Sequence, residues 1–268
     1  MGIGIRGQVE NDILPKFDRA LENGRAALER ATRSRMGQFD TDLLRIADLR
    51  KAADLVLKPC FVLIARAAIC FPATTLLSRS SNVVKLLASP PQLRANGFNL
   101  PSSMTPALYK GQARRIVKVG HAGLELWADG TLIAALGSQW IFQLRGEGQR
   151  INIKGLTEST YLFADLYTRL LQASAHRASG IEYGAHLWDI PSNTEAMSTK
   201  GLQVKLDQEE YSVTHVPLLG EGPARNAGEI MARLHASWGI EPDDMRYCNS
   251  ENGAWAVDVN WLVGESGL

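Results

Sequence analysis

The chain has 268 residues, 45% of them hydrophobic and 21% charged, the composition of an ordinary soluble protein long enough to bury a core. Its formal net charge of +1 hides an asymmetry. Residues 1–58 carry 11 basic and 9 acidic side chains, residues 59–179 carry 13 and 5, and residues 180–268 carry 5 and 14. Cys60, Cys70 and Cys248 form neither a CxxC pair nor a metal cluster, which argues against a secreted disulfide framework and for a reducing, cytoplasmic compartment. Met1 to Asn11 lacks the apolar run and cleavage site of a signal peptide.

Residues 9–35 place Ile13, Leu14, Phe17, Leu21, Ala27 and Leu28 at three- and four-residue steps, predicting helix, with Gly24 dividing it. A second helix is predicted from Asp40–Asp42 to Leu57, capped by Thr41 or Asp42. The apolar run 59–77 is interrupted by Arg66 and Pro72, too early for a membrane span. It reads as a buried core segment or an oligomer-facing helix. A third helix is predicted over 75–88, stopped by Ser89-Pro90-Pro91.

From residue 92 the pattern turns to strands. Leu124-Glu125-Leu126-Trp127 and Thr131 to Leu136 alternate around Asp129-Gly130, a hairpin signal. Residues 140–144 and 151–153 read as further strands around the turn 145–148, and 158–176 as an amphipathic helix ending before Gly180. Residues 181–190 read as a strand, 202–206 and 211–216 as a pair of strands, 224–238 as a helix and 254–263 as a last strand. The predicted class is α+β: an N-terminal helical region over 1–91, then a mixed, mainly antiparallel sheet with packing helices over 92–268, with a sub-boundary near 191–200.

Motifs of specific chemistry are absent from the sequence. No GxxxxGK[ST] and no GxGxxG between strand and helix occurs, and Gly146-Glu147-Gly148 reads as a hairpin turn. No GxSxG occurs, Cys60 and Cys70 sit in the apolar run, and Cys248 follows Arg246 and Tyr247 in a polar loop. The five histidines, His121, His176, His186, His215 and His235, show no HxxxH spacing. No cofactor and no metal is expected.

The basic middle is the main functional candidate. Lys110, Arg114, Arg115 and Lys118 fall in one short span, and Arg145, Arg150 and Lys154 flank the next hairpin. Trp127, Trp140 and Phe142 lie among them. Cations neutralise phosphates and exposed rings stack on bases, so the candidate nucleic-acid-binding set is Lys110, Arg114, Arg115, Lys118, Trp140, Arg145, Arg150 and Lys154. Against this stands a bland reading, in which the rings face a core and the basic segment balances the acidic one within a single fold.

Gly97-Phe98-Asn99-Leu100, the hairpin 124–132 and the long helix over 158–176 resemble the region that follows the Alba-like DNA-binding domain of bacterial Schlafen-type proteins. The resemblance spans residues 96–190. Such proteins carry an acidic cluster and a glycine-rich strand end in the preceding part, where this chain has an apolar segment, so the resemblance implies no catalytic residue.

The expectation is a non-enzymatic binding protein contacting DNA or RNA through its basic centre, as a subunit of a prokaryotic assembly. One alternative is a structural subunit joined to a protein partner or to its own copies, with no membrane involved. Another is an enzyme that brings Asp189 or Asp207 together with His186 or His215.

Overall fold

Phe61-Val62-Leu63-Ile64, four bulky apolar residues in a row, suit a strand buried on both faces. In the computed structural model they form the middle of β1, Cys60–Arg66. The structure describes residues 41–67, 73–109, 114–143, 149–174, 180–199, 201, 203–218, 220–251 and 253–264. The helix expected over 9–35 lies outside the described residues.

The chain divides into two compact units, Met1–Ala47 and Asp48–Leu268. Of the first, residues 41–47 are described and are helical. The second opens with helical residues 48–52, labelled α1. The helix expected to reach Leu57 stops there, because Asp54 and Leu57 adopt left-handed backbone at φ 55° and 54°.

The elements that follow are α2 (Ala73–Leu77), α3 (Asn82–Ala88), β2 (Ala107–Tyr109), β3 (Arg114–Val119), β4 (Ala122–Trp127), β5 (Leu132–Leu136), α4 (Ser138–Ile141) and α5 (Ile153–Ala173). Then come β6 (Glu182–Trp188), β7 (Glu195–Met197), β8 (Gln203–Lys205), β9 (Tyr211–His215), α6 (Pro223–Ser237), β10 (Cys248–Glu251), β11 (Ala254–Val257) and α7 (Val259–Gly264). The main sheet has seven strands in the order β2-β3-β4-β5-β1-β6-β9, and each neighbouring pair is antiparallel. The class is α+β, as the sequence predicts.

Several elements differ from expectation for local reasons. The helix read over 75–88 is two, because Ser81 caps α3 by accepting from the Val84 N–H. Residues 138–141 are helical rather than extended, and only a single bridge, Phe142 to Ile151, remains of the expected hairpin. Helix α5 starts at Ile153 rather than 158, since Asn152 accepts from the Gly155 N–H. Strands β8 and β9 do not pair with each other: β8 pairs with β7, while β9 joins the edge of the main sheet beside β6. The final strand ends at Val257 and gives way to α7. The Asp129-Gly130 hairpin forms as expected, with Asp129 accepting from the Thr131 N–H and Gly130 at φ 87°.

Alternation along the strands sorts the sheet into two faces. On one, Phe61, Leu63 and Ala65 align with Leu136, Ala134 and Leu132, then with Ala122, Leu124 and Leu126. These residues share a single apolar core with Leu162, Phe163 and Leu166 of α5 and Ile230 and Leu234 of α6. On the second face lie Cys60, Val62, Ile64, Gly123, Glu125, Arg114, His186 and Trp188. Gly123 makes room for α1, since a Cβ there would sit 2.7 Å from Leu49 Cδ1.

Candidate functional site

Consecutive residues of a strand point to opposite faces, so Arg114 and Arg115 part at once. On the helical face Arg115 is 3% exposed and caps the end of α2: its Nε donates to the Leu76 carbonyl at 2.6 Å and Nη2 to that of Leu77 at 3.0 Å. Its Nη1 donates to the Pro106 carbonyl at 2.9 Å. Arg114, on the second face, is also buried, its Nη1 donating to Glu125 Oε1 at 2.5 Å and its guanidinium 4.8 Å from the Trp127 ring centroid. Neither arginine presents its fork to solvent.

The other candidates disperse. Lys118 is exposed on the second face, opposite Gly123. Arg150 lies 3.6 Å from Glu195, and Lys154, in the first turn of α5, holds its ammonium 5.9 Å from the Tyr247 ring. Trp140 is buried in the core. Lys110 and Arg145 lie outside the described residues. Acids of the last third meet bases from earlier in the chain, with Glu182 on Arg66 at 3.0 Å, Glu195 near Arg150, and Asp189 on Arg50.

The histidine and acid candidates for enzyme chemistry also stay apart. His186 is buried on the second face, stacked on Trp188 with centroids 5.3 Å apart, and its Nδ1 is 2.9 Å from the Ser212 hydroxyl. Burial holds the imidazole down at about 4, so it is neutral near pH 7. A hydroxyl on a neutral histidine has the spacing of a nucleophile and base. Among the described residues, however, no carboxylate is hydrogen-bonded to that ring. Asp189 turns away at φ 57° onto Arg50, whose guanidinium also lies 5.2 Å from the Trp188 centroid.

His215 belongs to the opposite face, 3.5 Å from Glu221; burial lowers its pKa against the pull of Glu221 and Glu229. Asp207 accepts from the Tyr211 hydroxyl in the turn before β9. Burial pushes the Cys60 and Cys248 thiols up to about 12, the setting of inert core cysteines. Among the described residues no group of three or more His, Cys, Asp or Glu side chains could hold a metal.

Two buried carboxylates are the polar features the sequence hides best. Glu125 is fully buried, although strict alternation of Leu124-Glu125-Leu126 suggests a solvated face. Desolvation pushes its carboxyl up to about 7 against the pull of Arg114 and a hydrogen bond from Trp127. Glu158 of α5 is likewise fully buried and takes both Nε and Nη2 of Arg94, at 3.3 and 3.0 Å.

The turn after α1 carries the most exposed apolar group near the second face. Val56 is 55% and Leu57 85% exposed, while Val119, the last residue of β3, is 50% exposed and pairs with Ala122 on the helical face. His121 of the β3–β4 turn comes within 3.6 Å of Asp54 (Nδ1 to Oδ2), both side chains being exposed. Lys58 and Lys118 stand beside this apolar tip, Lys58 paired with Asp54 at 2.7 Å.

No family model matches this chain, and no curated protein or solved structure is detectably similar to it.

Proposed function

We propose that the protein is a non-enzymatic, structural binding protein that contacts other protein chains, its own copies first among them. The observation that carries this reading is Leu57. It is the most exposed residue of the apolar tip and it stands at φ 54°. Left-handed backbone costs a branched side chain free energy that glycine or asparagine would not incur. A leucine there, next to the exposed Val56, is an apolar group that a partner can bury.

Charge placement supports the same reading over a nucleic-acid partner. Arg114 and Arg115, the centre of the basic segment, are engaged inside the molecule. Lys118, Arg150 and Lys154 do not form one stripe around them. Arg66 and Arg150 of the basic middle are paired with Glu182 and Glu195 of the acidic end.

Light scattering over a range of concentrations tests this, with Leu57→Gly beside the wild type. The expected result is a wild-type mass rising above that of the 29.3 kDa chain, and a variant that remains a monomer. A wild-type monomer at every concentration would overturn the proposal. If such a monomer also stays on heparin until the salt is raised, nucleic acid becomes the better partner.

A further inference from the structure

One guanidinium serves two carboxylates on the second face of the sheet. Arg114 Nη1 is 2.5 Å from Glu125 Oε1 and 4.0 Å from Asp48 Oδ2. Glu125 is fully buried on β4, whereas the Asp48 side chain is 59% exposed on α1. Trp127 on its own strand hydrogen-bonds Glu125, and Ile116 on β3 and Ile133 on β5 lie opposite it; none of the three titrates. Among the described residues, Asp48 and Arg114 are the charged groups that act on it.

We propose that Glu125 is a proton-operated latch for α1, which acts by setting how fully Arg114 is available to Asp48. With Glu125 ionised, the buried carboxylate draws the guanidinium inward, and Asp48 is left at the long distance seen here. With Glu125 protonated, its carboxyl no longer competes as an anion, and the positive charge of Arg114 turns to Asp48. Helix α1 is then held more firmly against Gly123 and its neighbours.

The burial of Glu125 places this exchange near neutrality, because desolvation raises its carboxyl to about 7. A half-exposed ion pair is weak, so the change in local opening is small, about threefold. The latch works in the single chain and needs no partner, although the segment it holds, residues 48–57, ends in Val56 and Leu57, so the exchange is also read in Leu57→Gly.

Hydrogen exchange of peptides covering residues 48–57, corrected for the intrinsic pH dependence, reads it directly. In the wild type, protection falls about threefold from pH 6 to pH 8. In Glu125→Gln the same amides stay at the protected level throughout. Asp48→Asn, a change at a solvated position that leaves the fold intact, keeps them at the open level at both pH values. A flat wild type, or an equal pH dependence in Asp48→Asn, would overturn the latch.

Discussion

Arg94 closes on Glu158 through two hydrogen bonds, pinning the loop after α3 to the second turn of α5. Gly97 packs against the same pair: a Cβ there would lie 2.0 Å from Glu158 Oε1. Removing one member leaves the other buried and alone. Arg94→Met is therefore expected to cost about 3 kcal/mol in denaturant unfolding. The double change Arg94→Met with Glu158→Leu should recover most of that loss. A double variant no better than the single would show that the pair itself, rather than an orphaned carboxylate, carries the stability.

Glu125 links stability to pH with a definite sign. Its folded carboxyl sits near 7, above the ordinary 4.5, so the folded state holds the proton more tightly than the unfolded one. The contribution is full below about 4.5 and is lost as pH rises through 7, on the order of 3 kcal/mol. Glu125→Gln should lack this loss. Unfolding midpoints at pH 5 and pH 8 check it: the variant gains on the wild type at the higher pH.

His186 and His235 act in the opposite direction. Burial lowers both to about 4 from an ordinary 6.5, so the unfolded state takes up protons first. Their contribution is complete above 6.5 and disappears as pH falls toward 4. His186→Gln, which can still bond Ser212, should flatten the acid limb by on the order of 3 kcal/mol between pH 7 and pH 4. An unaltered acid limb in this variant would mean that the ring is charged in the folded state.

Gly228 lets α6 approach β11 backbone to backbone. A Cβ there would lie 2.5 Å from the Trp255 carbonyl oxygen and 2.6 Å from Ala256 Cα. Gly228→Ala is expected to destabilise by about 2 kcal/mol, since backbone cannot move aside as a side-chain tip can. Gly222→Ala, with nothing within 4 Å of the added atom, serves as the control. Equal thermal midpoints for the two variants would contradict the close approach.

Leu57→Gly should raise stability by up to about 1 kcal/mol, because glycine accepts φ 54° without a steric penalty. A gain in the thermal midpoint together with lost self-association would separate what the fold prefers from what the tip is for.

The α+β class, the Asp129-Gly130 hairpin and helices α5 and α6 were legible from period and turn chemistry alone. Strand β1 was not assigned as a strand, since an unbroken apolar run has no period and fits a buried helix equally well. Arg114 and Arg115 looked like a surface pair because sequence shows charge without direction. Their partners, Glu125 across the hairpin and the carbonyls of Leu76, Leu77 and Pro106, are set by tertiary contact. The burial of Glu125 is hidden for a related reason: alternation along 124–126 implies one wet face, whereas both faces of β4 are buried here. The left-handed Leu57 leaves no sequence signal, since leucine is not a turn residue.

The place of β1 between β5 and β6 bears on how the molecule is made. Translation delivers residues 60–66 before both flanking strands, so one edge of β1 waits for residues 132–136 and the other for residues 182–188. Through that interval a sticky ribbon, Phe61-Val62-Leu63-Ile64-Ala65, has only Lys58, Pro59 and Arg66 at its borders to discourage pairing with a neighbouring nascent chain. Neutralising Lys58 and Arg66 would thus burden synthesis and yield far more than it would weaken the finished protein.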